Sequence, residues 1–149
     1  YTKAELLEKP LGEGSVTLVL ETEESANGRN ARKYAEINGY AQAHRPVSYD
    51  NSEVDSKAVV EVIEKACVNA GIEADNIDFV CCDDRKIIKT LMPCYDVSQE
   101  IGNARAAASA MTAAYAAELL SDSEKNYEYG LAISMGAGGT YSAVILKKA

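Results

Sequence analysis

Apolar and polar positions alternate along short stretches of the chain, and each of these stretches predicts a β-strand. Residues 15–21 (SVTLVLE) and 33–40 (KYAEINGY) flank a turn sequence, ANGRN, and predict an antiparallel hairpin. Residues 77–82 (IDFVCC) are almost wholly apolar, as expected for a strand that is covered on both faces. Residues 130–134 and 141–147 predict two further strands on either side of a glycine-rich loop.

Two helices are predicted between these strands. Apolar residues recur at helical spacing from Val54 to Cys67, capping residues precede them, and Gly71 stands at the favoured C-cap position. Residues 103–120 are rich in alanine and place small residues on every face, which predicts a buried central helix. The predicted order is ββαβαββ, an α/β fold with a mixed β-sheet and packed helices. No linker divides residues 1–149, so we expect a single domain.

The composition is that of an ordinary globular protein, with 149 residues, 47% hydrophobic and 26% charged. A net charge of −8 with scattered Lys and Arg offers no basic stripe for nucleic acid and no polybasic segment for an anionic membrane. The apolar runs are shorter than the roughly 20 residues that span a bilayer, and the first residues lack a signal-peptide core. We therefore expect a cytoplasmic protein that binds neither nucleic acid nor membrane.

The cysteines and the single histidine predict no metal site. Four cysteines occur at spacings that fit neither a CxxC metal pattern nor a secreted disulfide framework: Cys67, Cys81, Cys82 and Cys94. We expect reduced, structural thiols. His44 has Arg45 and Pro46 as neighbours, which offer no acid, nucleophile or metal ligand, so a surface-loop histidine is the favoured interpretation.

Asp83 and Asp84 follow the strand predicted at residues 77–82. A carboxylate pair can serve acid–base chemistry or hold a divalent metal, but two acids after a strand more often form a solvated turn, which we expect here. We expect neither a metal nor another cofactor.

The loop at residues 136–140 (GAGGT) is the second candidate for a functional site. Its glycines, Gly136, Gly138 and Gly139, permit backbone conformations and close approaches that side chains block. Backbone amide groups in such a loop can face a ligand oxygen. We expect this loop, together with Thr140, to form the floor of a site.

Four blocks of the sequence resemble β-ketoacyl-ACP synthases, the condensing enzymes of the thiolase superfamily. Residues 12–41 resemble the family segment GEGAGALVLE…AxxYAEIxGY, and residues 71–84 resemble GxxPxDIDYVNAHGT. Residues 96–114 resemble KSxxGHxxGAAG, and residues 132–148 resemble SxxFGFGGTNxxLVF. Four blocks in the family order and spacing are hard to obtain by accident. The resemblance covers nearly the whole chain and implies the C-terminal half of a thiolase-like fold.

The residues that depart from the family pattern bear on activity. The family uses two histidines to stabilise a developing enolate, and the resemblance places Asp83 and Asn103 at these positions, with Ser98 in place of a lysine. An ionised Asp83 repels an enolate, whereas Asn103 can still donate a hydrogen bond. Met135 takes the place of a phenylalanine that gates the acyl pocket, and Ala137 replaces a second phenylalanine. The resemblance thus implies no catalytic residue here.

The nucleophilic cysteine of the family lies in its N-terminal half, and none of the four cysteines aligns with it. The resemblance implies substrate-binding positions instead: Asn103, Met135, Gly136, Gly138, Gly139 and Thr140.

Three interpretations of function remain open. The first is a non-catalytic subunit, similar to a chain-length factor, that supports acyl-ACP condensation in fatty-acid or polyketide metabolism. The second is an autonomous acyl-thioester enzyme, in which Asp83 is a base and Asn103 and the loop amides form an oxyanion hole. The third is a truncated ketosynthase domain that needs its N-terminal half.

The resemblance also implies partners. In the family fold the alanine-rich helix lies against its counterpart from the other half, so this helix alone exposes Met111 and Tyr115 as part of an apolar patch. We expect a homodimer through this helix, or a heterodimer with a ketosynthase N-terminal half or a full ketosynthase. Acyl carrier protein is a further candidate partner.

Overall fold

The computed structural model describes residues 10–46, 54–136 and 138–149. The helices and strands of these residues, numbered in chain order, are α1 Glu23–Gly28, β1 Glu36–His44, α2 Ser56–Ala70, β2 Phe79–Cys82, β3 Cys94–Asp96, α3 Val97–Ile101, α4 Ala108–Ser121, β4 Tyr129–Gly136 and β5 Thr140–Lys147. None of the helices among these residues is long and apolar enough to cross a membrane.

The five strands form one mixed sheet in the order β1-β5-β4-β2-β3. Strand β5 pairs antiparallel with β1 and with β4, whereas β2 runs parallel to both β3 and β4. The predicted α/β fold with a mixed sheet is therefore confirmed. The parallel strands bring the carboxyl ends of β2, β3 and β4 to one edge of the sheet.

Helices cover both faces of the sheet. Helix α2 packs on β1 and β5, and α4 packs on β2 and β4 on the opposite face. Side chains of β2 alternate between the two layers, because Val80 and Cys82 join the α2 cluster whereas Phe79 and Cys81 join the α4 cluster. All four are buried, as expected for a strand covered on both faces.

Helix α2 follows its sequence signals closely. The Asp55 carboxylate accepts from the backbone N–H groups of Lys57 and Ala58 at the N-terminus. Gly71 ends the helix with a left-handed φ of 70°, the conformation that favours glycine at this position. Tyr141 of β5, which is fully buried, accepts from Asp55 N–H through its hydroxyl over 2.8 Å. The predicted helix and its C-cap are confirmed.

The predicted N-terminal hairpin is wrong. Residues 15–21 form no strand, and the turn predicted at residues 26–30 overlaps helix α1. Thr22 caps this helix, since its hydroxyl accepts from Ser25 N–H, and Glu23 and Glu24 favour its positive N-terminus. Strand β1 pairs with β5 instead, a contact of about 100 residues' separation that alternation alone does not reveal. The predicted ββαβαββ order is corrected accordingly.

Residues 15–21 leave apolar side chains in solvent. Leu18, Val19 and Leu20 are 45%, 79% and 70% exposed. The backbone hydrogen bonds that join described residues include none from this stretch. A segment with strand-like alternation but no neighbouring strand leaves both its backbone and its apolar groups unpaired.

The alanine-rich helix begins later than predicted. Residues 105–107 form a 3₁₀ turn, and the α-helix begins at Ala108. One face is buried on the sheet through Thr112, Ala116, Leu119 and Leu120. Tyr115 is 38% exposed, so the helix is not buried on every face in this chain. The exposure predicted for Tyr115 on this helix without its counterpart is therefore confirmed.

The N-terminal segment covers part of the exposed face of α4. A Cβ on Gly14 meets the Met111 side chain at 2.2 Å, so the glycine backbone lies directly against Met111. Gly12 lies equally close to the backbone of Ile101 and Gly102. Met111 is therefore half-buried, whereas Tyr115 remains exposed.

Candidate functional site

Three polar segments meet where the parallel strands end. Asp83 directly follows β2, Asp96 is the last residue of β3, and Met135 lies near the end of β4. Cys82 pairs with Asp96 on one side and with Ile133 on the other, which sets these three chain ends side by side. This edge is the candidate site, and the glycine turn continues from it into β5.

The Asp83 carboxyl at this edge is shielded from solvent. Its Oδ1 atom is buried and has no hydrogen-bond partner. Burial raises the pKa of Asp83 to about 7, and the charges of Asp84 and Asp96 act in the same direction. The backbone N–H groups of Asp83 and Met135 lower the pKa without offsetting the burial. Near neutral pH the carboxyl is therefore divided between its neutral and charged forms.

The expectation of a solvated turn is wrong for Asp83. Both aspartates are half-buried, and the chain after them folds back so that Ile87 is buried against the α2 layer. The Asp84 carboxylate accepts from Lys86 N–H over 2.9 Å, which is the turn bond that the sequence predicts for an aspartate. The turn therefore satisfies one oxygen of Asp84, while Asp83 is half-buried beside it.

A second buried carboxylate, Asp96, was not predicted as a site residue. Its oxygens accept from the backbone N–H groups of Ser98 and Arg85, at 3.0 and 3.2 Å. The Ser98 hydroxyl and the Gln99 amide add further hydrogen bonds, at 2.5 and 3.4 Å. The DxS spacing ahead of a short helix is an N-cap signal that identifies Asp96. Ser98, the residue in place of the family lysine, is thus a partner of this cap.

The glycine turn adopts left-handed backbone conformations. Gly138 and Gly139 have φ angles of +88° and +89°, which explains the need for glycine at both positions. Gly139 N–H donates to Gly136 O over 3.2 Å and closes the turn. Gly138 is exposed, and a Cβ there meets no atom within 4 Å. Gly138 therefore lies on the open side of the turn, whereas Gly139 is buried.

His44 lies at the end of β1 and not in a surface loop as expected. It is exposed, and its Nδ1 atom lies 3.0 Å from Oγ1 of Thr140. The next residue, Arg45, donates its N–H to Gly139 O over 2.8 Å. The sequence signal for this pairing was absent, because the β1–β5 contact joins residues 96 apart.

Asn103 is placed by its backbone contacts with the N-terminal segment. Its N–H donates to Pro10 O over 2.8 Å, and its carbonyl accepts from Gly12 N–H over 3.0 Å. Gly102, with φ of +74°, precedes it, and a Cβ at Gly102 meets the Pro10 carbonyl at 2.8 Å. Asn103 is half-buried. Of the predicted site residues, Asp83 and Met135 are brought into contact. The backbone of Asn103 instead forms hydrogen bonds with residues 10–12.

The cysteines beneath this edge are structural. Cys81 and Cys82 are fully buried, and burial raises the pKa of Cys81 to about 12 and that of Cys82 still further. Cys82 and Cys94 face each other from adjacent strands with their Sγ atoms 3.8 Å apart. Thiols with raised pKa values are poor nucleophiles at neutral pH. The prediction that Cys81 and Cys82 are buried structural residues is confirmed.

Other features of the described residues add no second site of this kind. An open surface depression of about 330 Å³ lies between Arg32 and the C-terminal end of α4. The end of α4 leads into the loop before β4, so this depression lies near the start of β4, at the opposite end of the sheet from the candidate site. Among the described residues, no three His, Cys, Asp or Glu side chains are grouped so as to hold a metal ion.

The comparisons with known proteins agree with this architecture. No protein-family model matches the chain. A 70-residue stretch is 36% identical to a protein of Schizosaccharomyces pombe named as a mitochondrial 3-oxoacyl-(acyl-carrier-protein) synthase. A stretch of the same length and identity matches a protein of Streptomyces rimosus named as oxytetracycline polyketide beta-ketoacyl synthase 1. Each match covers 47% of this chain and only 16% of the relative.

Solved structures extend the likeness to almost the whole chain. The ishigamide ketosynthase/chain length factor superimposes with a TM-score of 0.76 at 21% identity, over 93% of this chain and 44% of that one. A type II PKS acyl-carrier protein in complex with its ketosynthase gives a TM-score of 0.72 at 18% identity, over 87% and 42%. The chain therefore has the ketosynthase fold, of the thiolase-like class, over less than half the length of those chains. The resemblance found in the sequence is confirmed.

Proposed function

We propose that this chain is the C-terminal half-domain, over residues 1–149, of a non-catalytic ketosynthase-like subunit. Its role is similar to that of a chain-length factor: it supports acyl-ACP condensation carried out by a partner. The fold and the relatives named as ketosynthases support the general class. The state of Asp83 supports the lack of catalysis.

Asp83 carries the argument because its chemistry opposes the reaction. Stabilising an enolate requires a hydrogen-bond donor or positive charge that is already aimed at the developing oxyanion. The Asp83 oxygen Oδ1 is shielded from solvent, and the other charges that act on the carboxyl come from Asp84 and Asp96, which are also acidic. When Asp83 is ionised, the edge therefore offers negative charge where the reaction develops negative charge. Decarboxylative condensation is disfavoured on both counts.

An acyl group at this site would lie against the glycine turn. Gly138 is exposed, and a Cβ at this position meets no atom within 4 Å. Gly139 follows it, Met135 and Gly136 end β4, and Thr140 begins β5. We assign these residues and Asn103 to substrate binding, with the thioester or keto carbonyl as the group bound and no cofactor required.

The exposed surfaces support a protein partner. Tyr115 on α4 and the run from Leu18 to Leu20 leave apolar area in solvent, and soluble monomers rarely tolerate large patches of this kind. The solved chains with this fold are more than twice as long as the part matched here. We propose that a second copy, a ketosynthase N-terminal half or a full ketosynthase covers this area, and that acyl carrier protein binds the assembly.

The activity test measures release of CO₂ from malonyl-ACP by the protein that contains this chain. We expect no release above the uncatalysed rate, and no change for Asp83→Asn. Release that Asp83→Asn or Asn103→Ala abolishes would overturn the proposal. The assembly test is the mass by light scattering at micromolar concentration for the parent and for Ala114→Arg, which places a charge on the partly buried α4 face. A monomer that is indifferent to this change would contradict the partner surface.

One observation favours the second candidate, an autonomous acyl-thioester enzyme. A carboxyl with a pKa of about 7 is well matched to general-base catalysis near neutral pH. If Asp83 were such a base, hydrolysis of an acyl thioester would increase with pH through about 7 and would be lost in Asp83→Asn. A flat profile with equal rates for both proteins would exclude this role.

A further inference from the structure

The end of β1 holds the outer side of the glycine turn through two contacts. His44 Nδ1 lies 3.0 Å from Thr140 Oγ1, and Arg45 N–H donates to Gly139 O over 2.8 Å. His44 and Thr140 are also direct partners in the β1–β5 ladder. The turn is therefore fixed from a neighbouring strand as well as by its own hairpin.

Arg45 connects the same contacts to helix α2. Its guanidinium group forms an ion pair with Glu61 and also donates to His44 O over 3.2 Å. Glu61 in turn accepts from Lys65 Nζ over 2.6 Å. Because α2 is packed on the sheet, these contacts connect the turn to the hydrophobic core.

The turn needs such support more than an ordinary hairpin does. Gly138 and Gly139 have the largest conformational freedom of any residue type, and both are held at positive φ. A Cβ at Gly138 meets nothing within 4 Å, so no packed side chain restrains that side. Within the hairpin, the bond from Gly139 N–H to Gly136 O closes the turn. The contacts from β1 restrict the Thr140 side.

We propose that His44 is a positioning residue for acyl binding. Through the Thr140 hydroxyl it holds the glycine turn in one conformation, so that the backbone of the exposed Gly138 is presented to a thioester or keto carbonyl oxygen. The inference rests on the function proposed above, because it takes the turn as part of an acyl site. His44 touches Thr140 and not the ligand, so it has no catalytic role.

The chain supplies a matched control two residues away. Gln42 Nε2 donates to Ser142 Oγ over 3.2 Å, and these two residues are also direct partners in the β1–β5 ladder. This bond is of the same kind as the His44–Thr140 contact but does not touch the turn. It also shows that a glutamine on β1 reaches a hydroxyl on β5, so His44→Gln is a fair rescue variant.

The test compares His44→Leu, His44→Gln and Gln42→Leu in the protein that contains this chain. Amide hydrogen exchange at residues 138–140 reports the turn, and binding of the butyryl thioester of N-acetylcysteamine reports the site. We expect His44→Leu to speed amide exchange at the turn by about fivefold, which is the effect of losing one hydrogen bond. We expect the affinity for the thioester to fall by a similar factor. His44→Gln restores both values, and Gln42→Leu leaves the turn unchanged.

The two arms separate the possible failures. Equal exchange at the turn in His44→Leu and the parent, or equal acceleration in His44→Leu and Gln42→Leu, would overturn the positioning role. If the exchange results hold but the parent binds no thioester, His44 positions the turn and the proposed acyl site is wrong. If His44→Leu loses affinity without a change in exchange, the side chain acts on the ligand directly and the proposal is again overturned.

Discussion

Replacing Asp83 with asparagine isolates the cost of burying a carboxyl group at the edge of the sheet. In the unfolded chain this carboxyl releases its proton near its ordinary pKa of 3.8, whereas in the folded chain burial holds the proton up to about pH 7. Unfolding between these pH values therefore releases a proton. The folded state must lose stability as the pH increases through this window, and the loss is complete above about pH 7.

The magnitude follows from the two pKa values. A pKa moved from 3.8 to about 7 corresponds to a loss of about 4 kcal/mol in the free energy of unfolding by pH 8. Asp83→Asn removes the titration and keeps the size of the side chain. The variant should match the parent near pH 4 and exceed it by up to about 4 kcal/mol at pH 8, which is about 10 °C in Tm for a domain of this size. The amide also leaves a polar atom unpaired, so this is an upper bound.

The assay is urea unfolding of the parent and the variant at four pH values from 5 to 8. Asp75→Asn is the control, because Asp75 is an exposed acid in the 3₁₀ turn of residues 74–76. The control should keep the pH dependence of the parent. A parent-like pH dependence in Asp83→Asn, or a variant less stable than the parent at pH 8, would refute the reasoning. A carboxyl ¹³C titration with a midpoint near 4 would refute it independently.

Three further substitutions test other parts of the fold. Gly138→Val should cost about 1–2 kcal/mol through its positive φ alone, and Gly138→Asn clearly less, as measured by thermal unfolding; equal costs would point to side-chain packing instead. Tyr141→Phe should cost about 1–3 kcal/mol, because it leaves the Asp55 N–H without its partner, and an unchanged urea midpoint would contradict this. Val19→Lys should leave unfolding unchanged but reduce self-association in sedimentation, and unchanged self-association would contradict an interface at this side chain.

Local sequence signals predicted the elements that are defined by their own side-chain pattern or by a neighbour close in sequence. Helix α2 could be predicted from its apolar spacing, with Gly71 as its C-cap, and β2 from an apolar run that is covered by helices on both sides. Strands β4 and β5 flank a short glycine turn, so their pairing is local. In each case the side-chain pattern of the element matches the packing that the fold gives it.

Prediction failed where the pairing was distant or missing. Residues 15–21 carry the alternation of a strand, but a strand also requires a partner, and no described segment pairs with them. Thr22 and the acids after it instead begin helix α1, which overlaps the turn predicted at residues 26–30. The sequence predicts a solvated Asp83, because a local pattern does not reveal that its Oδ1 atom is buried. Alternation and propensity describe a segment, whereas burial depends on what packs over it.

The burial of Asp83 also bears on the choice between the two proposed functions. A general base needs a suitable pKa and an oxygen that can reach the proton it removes. The same burial that raises the Asp83 pKa to about 7 also shields its Oδ1 atom, so the first requirement is met at the expense of the second. A carboxyl in this arrangement favours a non-catalytic subunit over an enzyme.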